Sequence, residues 1–183
     1  MADLVGSPPR AGAAPRSDPH FRFCPRCATP LEPAEHGGRA RAACPAPGCG
    51  FVHWDNPTPV VAAIVEHDDE HVVLVRSPGW PEKLFGLVTG FLERDESPED
   101  GVVREVREEL GLSATVVAPV GVYPFFVRNE ILICFHVRAR GDVVLGDELE
   151  AFKRVPIAKL RAWPFGTGLA VAAWLERRNA APP

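Results

Sequence analysis

Residues 90–112 read GFLERDESPEDGVVREVREELGL, and this stretch decides the fold. Ser97-Pro98-Glu99-Asp100 is a helix start: Ser97 can cap, Pro98 suits the first helical position, and Asp100 completes a capping-box-like pair. The helix is expected to run to about Leu110, with Gly111 as its C-terminal stop. At about 100° per residue, Glu105, Glu108 and Glu109 fall within an arc of roughly 100°. Val102, Val103, Val106 and Leu110 occupy a different arc and can face a core. Like charges at i,i+3 and i,i+4 cost about 0.2–0.5 kcal/mol per pair in an isolated helix, so a purely structural helix would alternate Glu with Lys. A solvated acidic face is the bland alternative.

Carboxylate clusters of this kind suit hard divalent cations such as Mg²⁺, which takes octahedral oxygen ligands and bridges substrate phosphates. Gly90, Glu96, Arg104, Glu105, Glu108, Glu109 and Gly111, with apolar Val106 and Leu112, match every specified position of a long gap-free pattern. The stretch resembles the Nudix box. The resemblance implies Mg²⁺- or Mn²⁺-dependent hydrolysis of a nucleoside diphosphate linked to another moiety. It implies that Glu105, Glu108 and Glu109 ligate metal together with the carbonyl of Gly90. Glu96 and Arg104 are read as supports, joined by a salt bridge that fixes the carboxylates. Gly90 is expected to let the backbone turn into the site. The water-activating base is either a box Glu or a later loop Glu, for which Glu148 within GDELEAF is the first candidate and Glu150 the second.

Working outward, Cys24-Pro-Arg-Cys27 and Cys44-Pro-Ala-Pro-Gly-Cys49 form two hooks separated by sixteen residues. Paired cysteines in a reducing compartment read as a metal site more readily than as disulfides, and four thiolates can wrap one tetrahedral Zn²⁺. The segment resembles a zinc ribbon, with a structural role. Its second hook is two residues longer than usual, which leaves His53 as a substitute ligand and disulfides as alternatives. Cys134, alone in ILICFHV, reads as buried and inert.

PVVAAIVEH (59–67) reads as a buried strand and HVVLVRS (71–77) as its returning partner. LFGLVTGFLE (84–93) reads as a strand entering the box. Residues 115–127 and 130–140 are strand-like, Lys153 to Pro156 ends another strand, and 166–178 is a closing helix. Strands, a central helix, more strands and a final helix fit a mixed sheet between helices. The expected architecture is α/β: a Nudix α/β/α sandwich (56–179) after a zinc ribbon (20–55) and a disordered tail (1–19). No run of about 18 apolar residues is present, and residues 1–20 lack a continuous apolar signal core, so a cytoplasmic protein without membrane partners is expected. The net charge of −4 counts against broad nucleic-acid binding.

The ribbon placed before the box, and the opening Gly90-Phe91-Leu92-Glu93, are similar to the NADH pyrophosphatase branch. That resemblance implies a dinucleotide or nucleotide-sugar substrate, NAD(H) or ADP-ribose among them, and a homodimer. The branch's downstream signature survives only as the aromatic-Pro-Phe of Tyr123-Pro124-Phe125-Phe126. Tyr123, Phe125 and Phe126 could stack a base, at about 1–3 kcal/mol each, or belong to sheet core; Phe85 is a further pocket candidate. Two rival functions remain: a nucleotide sensor without turnover, which would ordinarily have lost box carboxylates, and a nucleic-acid-binding ribbon.

Overall fold

The computed structural model describes residues 21–180, so the expected tail at 1–19 lies outside the described residues. Two compact units divide between Asn56 and Pro57. In the first, β1 (Glu32–His36) and β2 (Arg39–Ala43) form an antiparallel hairpin. Among its described residues only Cys24 and Ala43 are buried hydrophobics. With so little apolar surface removed from water, such a unit depends on a staple such as a metal.

The second unit is built on β3 (Thr58–His67), buried from Val60 onward. A strand covered on both faces reads as a continuous apolar run rather than an alternating one. Residues Thr58–His67 pair in parallel with β7 (Glu130–Arg140). The other edge of β3 is shared: β5 (Val88–Phe91) takes Val60 to Ala63, and β4 (His71–Arg76) takes Val65 to His67, both antiparallel. β6 (Ser113–Phe125) and β8 (Ala151–Pro156) close the mixed sheet, in the order β6-β7-β3-β4-β8.

Alternate residues of β3 face two cores. Val61, Ala63 and Val65 pack with Val102, Val106 and Leu110 of α1 (Pro98–Leu110). Val60, Ala62 and Ile64 pack with Ala170, Val171 and Trp174 of α2 (Gly168–Ala180). The result is the expected α/β/α sandwich. Each α1 anchor is fully buried, and truncating one such as Leu110 to Ala costs about 2–5 kcal/mol. Toward its C-terminus, α2 is also tied by Arg178, whose Nη1 is 3.2 Å from the buried carboxylate of Glu66.

The bounds of β5 and β6 are among those that differ from the sequence expectation. Residues 84–87 do not continue β5: Gly86 only bridges Val75, exchanging two backbone hydrogen bonds of 2.9 Å. Phe126 and Val127 lie in the turn after β6 rather than within the strand.

Candidate metal-binding active site

Ser97 caps α1 by accepting from the Asp100 N–H at 3.1 Å, and its hydroxyl donates to the Asp100 carboxylate at 2.6 Å. At the far end Gly111 takes the left-handed conformation at φ 66°, where glycine carries no Cβ penalty. Between these caps the apolar face sinks into the first core. That packing leaves the Glu105 carboxylate against Gly90 of β5, while Glu108 stays exposed.

Arg104 organises the cluster. Its Nε and Nη2 donate to the two oxygens of Glu96 at 2.8 and 3.0 Å, a bidentate pair. Nη1 donates to Glu105 at 2.6 Å and to Glu108 at 3.0 Å, and Nη2 also reaches the carbonyl of Phe91 at 3.0 Å. One planar fork thereby joins the loop before α1, the helix and the end of β5. The Arg104 guanidinium holds Glu96 below the usual carboxylate range. Contact with Glu96 in turn raises Arg104.

Gly90 is needed for a different reason from the one its sequence position suggests. Its backbone lies within β5 and is not left-handed. The requirement is space: a Cβ there would lie 1.8 Å from the carboxyl carbon of Glu105 and 1.9 Å from its Oε1. The Glu105 carboxylate thus fills the volume of the missing side chain, directly against the strand backbone. Gly101, buried inside α1, serves similarly, since a Cβ there would meet Glu96 Oε2 at 2.9 Å. Glycine within a helix costs about 1 kcal/mol relative to Ala, and that local cost was the available signal.

Glu109 is the most perturbed carboxylate. Burial, then the charges of Glu105 and Glu148, push it up to about 8. Its Oε2 is buried with no hydrogen-bond partner. Burial also raises Glu105, partly offset by Arg104, with Glu108 and Glu148 adding repulsion. Glu148 stands in the 141–150 loop two residues after Gly146, whose N–H donates to the Glu109 carbonyl at 2.9 Å, and its charge raises both Glu105 and Glu109. Glu150 faces Arg76 at 3.3 Å, and its N–H donates to the Arg76 carbonyl at 2.9 Å. Buried Glu105 and half-buried Glu109, the latter with an unpaired oxygen, are hard-oxygen donors of the kind a divalent cation takes.

The aromatic candidates separate from this cluster. Tyr123 and Phe125 pack against the second core, on the α2 side of the sheet, so the structure does not bring them to the carboxylates. Phe126 is 42% exposed in the turn after β6. Phe85 also packs against the second core, with the Lys153 ammonium 4.2 Å and the Arg76 guanidinium 5.6 Å from its ring centre.

In the N-terminal unit, the sulfurs of Cys24, Cys27, Cys44 and Cys49 all lie within 4.8 Å of one another. Cys27–Cys44, Cys24–Cys49 and Cys27–Cys49 are 3.5, 3.6 and 3.7 Å apart. Zn–S bonds of about 2.3 Å in a tetrahedron require S···S edges of about 3.8 Å, so the set fits Zn²⁺. The longer second hook is accommodated by Gly48 and Gly50, both left-handed. Hydrogen bonding with Thr29 lowers Cys27 to about 6, whereas burial pushes Cys44 up to about 12. His53 is not in the group; it stacks on Phe21 with ring centres 4.1 Å apart. Cys134 is buried, and burial raises it to about 12.

Comparison with known proteins agrees with this geometry. Residues 56–173 match the family described as the NUDIX domain. The NAD-capped RNA hydrolase NudC of Stutzerimonas stutzeri (strain A1501) is 32% identical over 169 residues, covering 88% of this chain and 58% of that protein. That of Mycobacterium tuberculosis (strain ATCC 25177 / H37Ra) is 32% identical over 158 residues, covering 85% and 43%. The chain thus spans about half the length of the curated relatives it matches. A NUDIX hydrolase crystal structure from Nitrosomonas europaea superposes with a TM-score of 0.70 at 22% identity, covering 88% of this chain and 94% of that one. At that identity the likeness shows a shared fold. The chain belongs to the Nudix domain family.

Proposed function

We propose that this protein hydrolyses the diphosphate bond of a nucleoside diphosphate linked to another moiety, using Mg²⁺ or Mn²⁺. The observation that carries the proposal is the buried, unpartnered Oε2 of Glu109 on the same helix as Glu105, whose carboxylate lies against Gly90 in place of a side chain. Glu105, Glu108 and Glu109, with the Gly90 carbonyl, would hold the cations. Bound cations supply neutralisation of the diphosphate oxygens and acidification of a water.

The chain's own residues do the rest. Glu148 takes the proton of the attacking water, and Glu96 keeps Arg104 in place. Arg104 prevents Glu105 and Glu108 from drifting apart, and Gly90 lets the Glu105 carboxylate approach the strand. The cysteine cluster holds a structural Zn²⁺.

The substrate is a dinucleotide such as NAD(H), or ADP-ribose. NADH would yield reduced nicotinamide mononucleotide and AMP. The relatives named NAD-capped RNA hydrolase add an RNA whose 5′ end carries the same diphosphate. That class enters although the net charge spoke against nucleic acid. Four cysteines gathered as a metal site support a reducing, cytoplasmic setting, and the family resemblance supports a homodimer. Incubation of the protein with NADH, NAD, ADP-ribose and NAD-capped RNA, with Mg²⁺ or Mn²⁺, tests the reading. Cleavage of at least one is expected; cleavage of none would defeat the enzyme assignment. Tight ADP-ribose binding without turnover would favour a sensor.

A further inference from the structure

We infer that Gly146 is a positioning residue for this hydrolysis: it clamps the 141–150 loop to the last turn of α1 and thereby fixes where Glu148 stands relative to the helix that carries Glu105 and Glu109. The inference rests on the carboxylate reading above. A helix leaves its final carbonyls without partners. Here the Gly111 N–H takes the Arg107 carbonyl, the Gly146 N–H takes that of Glu109, and the Val144 N–H takes that of Leu110, each at 2.9 Å. The loop therefore completes the end of the helix that carries the acids.

The fit leaves no space for a side chain. A Cβ on Gly146 would lie 2.3 Å from the Glu108 carbonyl oxygen, 3.3 Å from its carbon and 3.4 Å from the Glu109 Cα. These are backbone atoms of α1, so none can swing aside as a side-chain tip would; the loop itself must lift. Gly146 is not in the left-handed region, so the demand for glycine is spatial. On the far side of Glu148, Leu149 is buried in the first core and the Glu150 N–H is bound to Arg76. Glu148 is thus strung between two anchors. Raising one while the other stays fixed shifts Glu148 relative to α1.

A displacement of about 1 Å at a reacting group can cost on the order of 100-fold in rate. The test is a double-mutant cycle with Gly146→Ala, Glu148→Gln and the double variant on one cleaved diphosphate substrate, with amide hydrogen exchange on each protein. Gly146→Ala is expected to lower kcat by about 10- to 100-fold with KM little changed, and to deprotect the Val144 amide. Glu148→Gln should then cost far less in the Gly146→Ala background than in the wild type, because its contribution is already lost. A Gly146→Ala protein with wild-type kcat, or equal Glu148→Gln factors in both backgrounds, would overturn the inference. If Gly146→Ala does not fold, Val144→Pro removes the adjoining hydrogen bond without adding bulk at 146, and the same two outcomes decide. Should the wild type cleave no diphosphate, the hydrolase reading fails separately, and unchanged Val144 protection in Gly146→Ala would still overturn the clamp.

Discussion

Gly90→Ala is the smallest change that should disable the site, and its size can be worked from the structure. The added methyl would sit 1.8 Å from the Glu105 carboxyl carbon, whereas ordinary contact begins near 3.4 Å. The carboxylate must retreat by about 1.6 Å, and displacements of about 1 Å cost on the order of 100-fold. Retreat also strains the 2.6 Å hydrogen bond from Arg104, through which Glu96 and Glu108 are organised. Replacing Gly by Ala without strain would stabilise by about 0.4–1 kcal/mol; overpacking costs about 1–3 kcal/mol, so Tm should fall. Removing the obstructing carboxylate should reverse this: Gly90→Ala with Glu105→Ala should recover Tm relative to Gly90→Ala alone while remaining inactive. Steady-state kinetics on a cleaved diphosphate substrate, paired with thermal melts, measure both effects. Activity of Gly90→Ala within about threefold of wild type, or no recovery of Tm in the double variant, would refute the close-approach explanation.

Arg104→Lys keeps the charge but not the fork, and should lower activity by about 10- to 100-fold, read from kcat/KM. Glu109 gives a pH signature in metal-free protein. Its folded pKa of about 8 lies above the ordinary carboxylate value, so between about pH 4.5 and 8 the folded state retains a proton that the unfolded state has lost. Stability should therefore fall as pH rises through this window, by at most a few kcal/mol. Denaturant titrations across pH should show the slope flattened by Glu109→Gln, and by Mg²⁺ or Mn²⁺ in the wild type. One Zn²⁺ per chain is expected from metal analysis, and Cys44→Ser should lose it. Chelation should raise amide exchange in the N-terminal unit.

The sequence was legible wherever local chemistry decided the structure. Ser97 and Gly111 bounded α1 because each closes its helix end with its own backbone or side chain. The apolar run of β3 announced burial because partner strands and both cores enclose it. Long-range effects were not legible. β5 shortened because Gly86 bridges Val75 rather than continuing toward the box. Tyr123 and Phe125 read equally as base-stacking residues or sheet core, and it is packing on the α2 side of the sheet that places them in the second core. Glu148 and Glu150 looked alike until Arg76, more than 70 residues earlier, engaged Glu150. Gly90 and Gly146 were visible as glycines, yet the atoms that exclude a side chain at each belong to α1.

The most direct test follows AMP release from NADH and ADP-ribose, and nicotinamide mononucleotide release from NAD-capped RNA, over a Mg²⁺ and Mn²⁺ titration, comparing wild type with Glu109→Gln. Metal-dependent release of these products by the wild type, reduced by at least about 100-fold in a folded Glu109→Gln protein, is the expected result. Equal turnover by the two proteins, or turnover that persists without any divalent cation, would contradict the assignment of the carboxylate cluster as the catalytic centre.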